Sequence, residues 1–296
     1  MRQPSNSDDP ALRQGLRAIP PGLHLVSTPI GAARDITLRA LDILAAADVL
    51  VAEDTRTLRH LLEIHGVALS GRPLIAHHDH SGEASLRGLL ALLAEGKSMA
   101  YASEAGTPLI SDPGFELARA VAAAGLPISA APGPCAAICA LTLSGLPSDR
   151  FLFAGFPPAA SAARKTFLTE VAPIPATLIL YESPRRLAPL LTDMARILGP
   201  ERQAAICREL TKKFEDVTRG TLGTLAEAYE TEIVKGEVVV LVDRSTIVAP
   251  GAEDLAMALR EALQTMSVKD AVGFVSHNLG IPRKLVYKTA LDVDRD

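Results

Sequence analysis

Short apolar runs alternate with stretches of helical periodicity from residue 23 to about residue 243. Residues 23–27 (LHLVS), 48–52 (DVLVA), 73–77 (PLIAH), 98–103 (SMAYAS) and 127–131 (PISAA) read as strands, and residues 37–47, 55–65, 83–95 and 115–124 carry helical patterns between them. Brief apolar runs spaced by helices predict crossover units and a mainly parallel sheet. The runs are apolar at successive positions, as strands buried on both faces should be. A second series follows, with strand patterns at 151–155, 176–181, 203–209 and 237–242. Its clearest helix covers 184–198, with Pro184 in the first turn and Gly199-Pro200 as the stop. The join falls near APGPCAA (131–137), where Pro-Gly-Pro punctuates and a new helix starts.

After a linker at 245–251 the pattern changes to three helical stretches, at 254–264, 268–277 and 282–291, with no strand. The step through Leu279-Gly280 to Pro282, with Leu285 and Val286 at helical spacing, resembles a helix–turn–helix; a helical lid or dimer contact is the alternative. The pattern therefore predicts an α/β fold of two lobes, 21–133 and 134–245, with an N-terminal tail at 1–20 and a helical tail at 252–296.

Length agrees: 296 residues correspond to two domains at roughly 150 residues each, and the helical tail adds a third piece. With 48% hydrophobic residues the chain has material for more than one core, which excludes a largely disordered protein. No apolar run is long enough to span a bilayer, and the polar start MRQPSNSDDP reads as a tail and not as a signal peptide. Cys135, Cys139 and Cys207 have no metal or redox spacing and read as free thiols of a reducing cytoplasm. His77, His78 and His80 lack the i, i+4 spacing of a helical ligand pair, so no metal is expected.

Charge changes the picture more. The net value of −4 excludes a uniformly basic nucleic-acid coat. It is an average, however. Residues 150–213 hold ten basic and five acidic side chains, and residues 269–290 hold Lys269, Arg283, Lys284 and Lys288 against Asp270 alone. Trp is absent and aromatics are 4%, which argues against recognition built mainly on stacked aromatics.

Candidate chemistry concentrates in loops that leave strand ends. SEAGTPLISDPG (103–114) sets Gly106, Pro108, Pro113 and Gly114 around Thr107, Ser111 and Asp112, a rigid loop whose glycines let backbone approach a ligand. In an open parallel sheet such loops form the ligand crevice. STPIGAARDIT (27–37) contributes Thr28 and Gly31 without a dinucleotide or phosphate-loop fingerprint. AEDTR (52–56) places Glu53 and Asp54 at a strand end, with Asp54 or Thr55 a natural helix cap. YESPRR (181–186) and RELTKKFED (208–216) bring arginines and lysines suited to phosphate oxygens.

STPIGAARDITLRAL, VAEDTRTLRHLL, SEAGTPLISDPG, PGPCAAICAL, GLPSDRFLFAGFPP, YESPRRL, RELTKKFEDVTRG and KGEVVVLVD, in this order over roughly residues 21–243, closely resemble the ribosomal RNA small subunit methyltransferase I family of the tetrapyrrole methylase superfamily. The helical tail is similar to that family's C-terminal helix–turn–helix. The resemblance implies S-adenosylmethionine-dependent 2′-O-methylation of cytidine 1402 in 16S rRNA within the 30S subunit. It also implies a cofactor cleft between two α/β lobes, and a homodimer. By the match Thr28, Gly31, Ser103, Gly106, Thr107, Ile110 and Ser111 contact the cofactor, and Cys135 and Ala136 lie near it through backbone groups.

The sequence also departs from the pattern of the family it resembles. Gly106-Thr107-Pro108 stands where tetrapyrrole enzymes carry Gly-Asp-Pro, and Thr28-Pro29-Ile30-Gly31 replaces their glycine-rich first turn, which points away from corrin or sirohaem chemistry. Glu104 and Arg185 stand where Asp and His are expected, and HHDHS (77–81) differs from the usual loop. Glu53, Asp54 and Asp112 are candidate bases for the 2′-hydroxyl, and Lys212 or Lys213 is a candidate to stabilise the alkoxide or grip phosphates. Arg185, Arg186, Lys213, Arg283, Lys284 and Lys288 are expected on the RNA face. The alternatives are a tetrapyrrole methyltransferase and a non-catalytic RNA-binding assembly factor.

Overall fold

The computed structural model describes residues 18–78, 81–110, 114–244, 252–279 and 283–293. The first lobe holds β1 (Gly22–Val26), α1 (Leu38–Ala46), β2 (Val49–Ala52), α2 (Thr55–Ile64), β3 (Leu74–Ala76), α3 (Gly82–Ala94), β4 (Ser98–Ala102), α4 (Phe115–Ala123) and β5 (Ile128–Ala131). Its sheet runs β3-β2-β4-β1-β5 with every pairing parallel, as expected. Alternate strand residues feed two cores. Leu50 and Ala52 join Ile43, Leu44, Leu58 and Leu62 of α1 and α2 on one face. Val49 and Val51 join Leu89, Leu93, Leu117 and Val121 of α3 and α4 on the other. Helices on both faces explain why these strands lack polar alternation.

That order sets the position of the crevice. The chain leaves β1 toward β2 on one side of the sheet, and leaves neighbouring β4 across β1 toward β5 on the other. The loops after β1 and β4 therefore diverge from adjacent strand ends, which is the topological switch point where open α/β sheets bind ligands.

The second lobe contains α5 (Ala136–Ser144), β6 (Phe151–Gly155), α6 (Ser161–Val171), β7 (Thr177–Glu182), α7 (Leu187–Leu198), β8 (Gln203–Arg208), β9 (Asp216–Thr221), α8 (Leu222–Ala228) and β10 (Val238–Val242). Its sheet runs β6-β7-β10-β8-β9, and only β6 and β7 are parallel. This corrects the mainly parallel expectation for this half. The loop between β8 and β9 spans only 209–215, too short for the crossover a parallel pair requires, and β10 inserts antiparallel between β7 and β8. Leu178, Leu180, Ile206 and Val240 pack with Leu168, Leu187, Leu190 and Leu222 on one face. Ile179, Cys207, Val239 and Leu241 pack with Ala137, Ala140 and Leu141 of α5 on the other. The buried Arg164–Asp193 pair, 2.7 Å apart, ties α6 to α7.

Helices α9 (Ala252–Leu263), α10 (Val268–Leu279) and α11 (Arg283–Val293) enclose their own core of Leu255, Leu259, Ala271, Val272, Val275, Val286 and Ala290. Residues 1–17 of the expected tail at 1–20, the linker at 245–251 and residues 280–282 of the expected turn lie outside the described residues. Among the described residues no helix is long and apolar enough to cross a membrane.

Candidate functional site

The loops after β1 and β4 are bonded to each other. Thr28 and Gly106 exchange both backbone hydrogen bonds, at 2.9 and 3.1 Å. The buried Thr28 hydroxyl donates to the Ser103 carbonyl at 3.1 Å and lies 3.2 Å from the Ser103 hydroxyl, which itself donates to the Gly106 carbonyl. The Thr107 hydroxyl donates to the Pro134 carbonyl at 2.8 Å and so ties in the turn before α5. Gly106 (φ 85°) and Leu109 (φ 71°) take left-handed backbone, and for a branched leucine this costs energy that the surrounding contacts must offset. A Cβ on Gly133 would sit 2.8 Å from Ser27 Cβ, so the 131–135 turn can approach β1 only with glycine there.

Two cavities flank the start of α5. One, of about 160 Å³, is walled by Ile30, Ala136, Phe156, Tyr181, Glu182 and Val239 and is largely apolar. Cavities of roughly 150 Å³ with such walls hold a single aromatic ring. The other is a groove of about 550 Å³ where Thr107, Ile110, Gly133 and Cys135 face Ile138 and Phe153. Cys135 supplies no side-chain cap to α5, which leaves that helix terminus to other acceptors. One of them is Tyr181, whose hydroxyl oxygen accepts from the Ala137 N–H at 3.0 Å. Burial pushes the Tyr181 phenol up to about 12, so it stays neutral. Burial likewise pushes the Cys207 thiol up to about 12, and all three cysteines are free.

The 209–215 loop closes the site from the second lobe. Thr211 Oγ1 accepts from the Ala32 N–H at 3.0 Å. A Cβ on Gly31 would lie 2.6 Å from both Lys212 Cγ and Thr211 Oγ1. Lys212 Nζ lies 3.1 Å from Glu209 and 3.1 Å from Glu237. Burial works against its charge, but hydrogen bonds to Glu237 and Glu209 outweigh that and hold it above the ordinary lysine value.

The structure thus brings Thr28, Gly31, Ser103, Gly106, Thr107, Ile110, Cys135, Ala136 and Lys212 to one region where the lobes meet. Ser111 and Asp112 lie outside the described residues, as does His80. Glu53 is half-buried at the end of β2. Asp54 caps α2, accepting from the Arg56 N–H at 2.8 Å and pairing with its guanidinium at 2.7 Å. Those bonds to Arg56 hold the Asp54 carboxyl at about 2. Arg186 is bound to the buried Glu182 carboxylate at 2.5–2.7 Å, whereas Arg185 and Lys213 are exposed. In the tail Arg283 and Lys288 are exposed on α11, and nothing is described of the Lys284 side chain. Reasoning from sequence passed over Phe156, an aromatic between Gly155 and Pro157 directly after β6 that the fold leaves 55% exposed at the ring-sized cavity. It also passed over Glu237, whose partner Lys212 is distant in sequence.

Residues 22–226 match the model of the tetrapyrrole (corrin/porphyrin) methylases, and residues 249–293 match the RsmI C-terminal HTH domain. The chain is 45% identical over 279 residues to the ribosomal RNA small subunit methyltransferase I of Mesorhizobium japonicum, covering 94% of each chain. It is 41% identical to the protein of the same name from Escherichia coli O157:H7, covering 91% of this chain and 94% of that one. The uroporphyrin-III C-methyltransferase of Thermus thermophilus, solved with S-adenosylhomocysteine, shares the fold at 19% identity, with a TM-score of 0.51 over 74% of this chain and 96% of that one. With both family models matched in sequence order and relatives aligned over nine-tenths of its length, this chain belongs to the ribosomal RNA small subunit methyltransferase I family.

Proposed function

We propose that this chain transfers a methyl group from S-adenosylmethionine to the 2′-oxygen of a cytidine ribose, cytidine 1402 of 16S rRNA, in the small ribosomal subunit. The observation that carries this reading is the pair of cross-bonded loops at the switch point of the first sheet, facing a ring-sized apolar cavity from the second lobe. The residues fit the cofactor: the cavity suits a planar heterocycle, and the uncapped start of α5 offers backbone donors at a helix N-terminus. Gly106 leaves space where a Cβ would meet Ile30 at 3.1 Å. Ile30, Ala136, Phe156 and Tyr181 would hold the adenine, and Ser103, Gly106, Thr107, Ile110 and Cys135 the remainder. When bound, S-adenosylmethionine supplies the electrophilic methyl group.

The chain must hold the ribose oxygen in line with that methyl, take its proton and exclude water. Positioning alone can lower a barrier by as much as ~7–11 kcal/mol. The bonds between Thr28, Ser103, Gly106, Thr107 and Pro134 make the platform rigid enough for it. Lys212, kept protonated by Glu209 and Glu237, lies beside Gly31 and can stabilise a developing alkoxide or a flanking phosphate. The exposed cations Arg185 and Lys213, with Arg283 and Lys288 on α11, would meet RNA phosphates.

The test is labelled methyl transfer to undermethylated 30S subunits, with the product mapped by resistance of one phosphodiester to alkaline cleavage. Label at the cytidine ribose is expected, and absence of transfer overturns the reading. In the same assay Arg283→Glu with Lys288→Glu is expected to weaken subunit binding and flatten its salt dependence, leaving cofactor affinity intact. Unchanged binding would assign the tail to a lid or dimer contact.

We further infer a homodimer. Among the described residues no strand pairs with the outer edge of β5, where Ile128 is 43% exposed; Ile138 on α5 and Phe151 on β6 are exposed apolar side chains elsewhere. An open sheet edge that carries an exposed isoleucine invites a second copy. Ile128→Asp is expected to shift sedimentation from dimer to monomer; a wild-type chain that sediments as monomer removes the inference.

A further inference from the structure

Phe214 is a large aromatic side chain left 62% exposed on a loop that the fold holds in place by several means. Glu209 and Thr211 take left-handed backbone at φ 51° and 62°. The Thr211 N–H donates to Glu215 at 2.6 Å, the Lys212 N–H to the Glu209 carbonyl at 2.9 Å, and the Glu215 N–H to the Lys212 carbonyl at 3.1 Å. From outside the loop, the Glu237 N–H donates to the Glu209 carboxylate at 3.0 Å and the Ala32 N–H to the Thr211 hydroxyl at 3.0 Å. Backbone strain of this kind persists only where neighbours over-determine it, and it clusters at functional sites. A loop with this many restraints could have turned its phenylalanine inward; it presents the ring to solvent.

The two adjacent lysines differ in a way that gives the ring a partner. Lys212 is neutralised by Glu209 and Glu237. Lys213 has no carboxylate within ion-pair distance among the described residues, and its ammonium lies 5.4 Å from the Phe214 ring centroid. The cation stands over one face of a ring that is 62% exposed, and such a pairing serves unpaired nucleic acid, with a base stacked on the other face and its phosphate on the cation. The loop also fixes where that pairing sits. Leu210 lines the ring-sized cavity, and Lys212 packs against Gly31 where the lobes meet, so the loop that carries Phe214 borders the reaction cleft.

We propose that Phe214 and Lys213 form a stacking platform for an unpaired RNA base beside the target nucleotide, making Phe214 a positioning residue for the substrate. This rests on the rRNA reading above, and it replaces recognition by phosphate and shape alone. The few aromatics of this chain are not all spent in cores: Phe115, Phe156 and Phe214 are each more than half exposed.

The test compares Phe214→Ala, Phe214→Leu and Phe214→Trp in steady-state methylation of undermethylated 30S subunits, with cofactor affinity by calorimetry and oligomeric state by sedimentation. Phe214→Ala is expected to raise KM for the subunit roughly 5- to 150-fold, the span of one lost base stack, with kcat, cofactor affinity and sedimentation unchanged. Phe214→Trp restores KM and Phe214→Leu does not, because only the former has a π face. Three outcomes overturn the proposal: wild-type KM in Phe214→Ala, rescue by Leu equal to that by Trp, or a KM defect that tracks altered sedimentation and marks Phe214 as a protein contact. A wild-type enzyme that methylates no 30S subunit is a different failure. It removes the rRNA reading itself, and the platform with it.

Discussion

Glu53→Gln is expected to lower kcat by roughly 10²–10⁴-fold, the range for a positioned general base, while cofactor affinity is kept. The choice between the two adjacent carboxylates rests on base strength, since Glu53 and Asp54 both have partners. Asp54 spends its oxygens on the Arg56 N–H and guanidinium, which hold it at about 2. A base that weak is poorly matched to a proton that must leave near neutral pH. Glu53 precedes it at the end of β2 without being the cap, and Glu104 approaches the same arginine from the end of β4.

The control is Asp54→Asn, since asparagine caps a helix as well as aspartate does. It is expected to keep most of the turnover, whereas Asp54→Ala frays the start of α2. The Asp54 pairing also has a pH signature. A carboxylate with a depressed value stabilises the fold above its ordinary value of 3.8 and loses that contribution as pH falls toward about 2. Asp54→Asn should therefore flatten the acid limb of a stability profile without moving the pH dependence of turnover. Full turnover in Glu53→Gln would transfer the base to Asp112.

These assignments show what the linear sequence carries and what it does not. The first sheet was legible because its strands are uniform apolar runs separated by amphipathic helices, and helices on both faces require that pattern. The direction of the second sheet was not, because runs such as VVVLV are identical in parallel and antiparallel neighbours; only the short 209–215 connection holds the clue. Strand β9, DVTRGT, escaped notice because a half-exposed edge strand needs no apolar run. The loop composition of 103–114 marked a site, since glycine and proline at such density serve rigidity and close approach. What the sequence hid was which polar residues are already engaged. Asp54 and Arg186 look like free functional groups on paper, yet one caps a helix and the other neutralises the buried Glu182.

The other large effect comes from adding a single methyl group. Gly31→Ala places a Cβ 2.6 Å from Lys212 Cγ, 2.6 Å from Thr211 Oγ1 and 3.0 Å from the Leu210 carbonyl oxygen. The lysine stem could swing away, but the carbonyl belongs to a backbone that cannot. Its neighbours Glu209 and Thr211 are in left-handed conformations fixed by Glu237 and Glu215. The strain is relieved by parting the loops where the lobes meet, which breaks the Ala32–Thr211 hydrogen bond and shifts Lys212 away from the cleft. Overpacking of this kind costs about 1–3 kcal/mol, a loss of several degrees in melting temperature for a chain this long. The catalytic cost is larger in proportion, because a displacement of about 1 Å between reacting groups can cost on the order of 10² in rate. Gly31→Ala is thus expected to fold, melt slightly early and lose about two orders of magnitude in turnover. Thr211→Ala, which deletes the hydrogen bond without filling the space, should fall between it and the wild type. Wild-type turnover in Gly31→Ala would show that closure of these two loops does not set the geometry of methyl transfer.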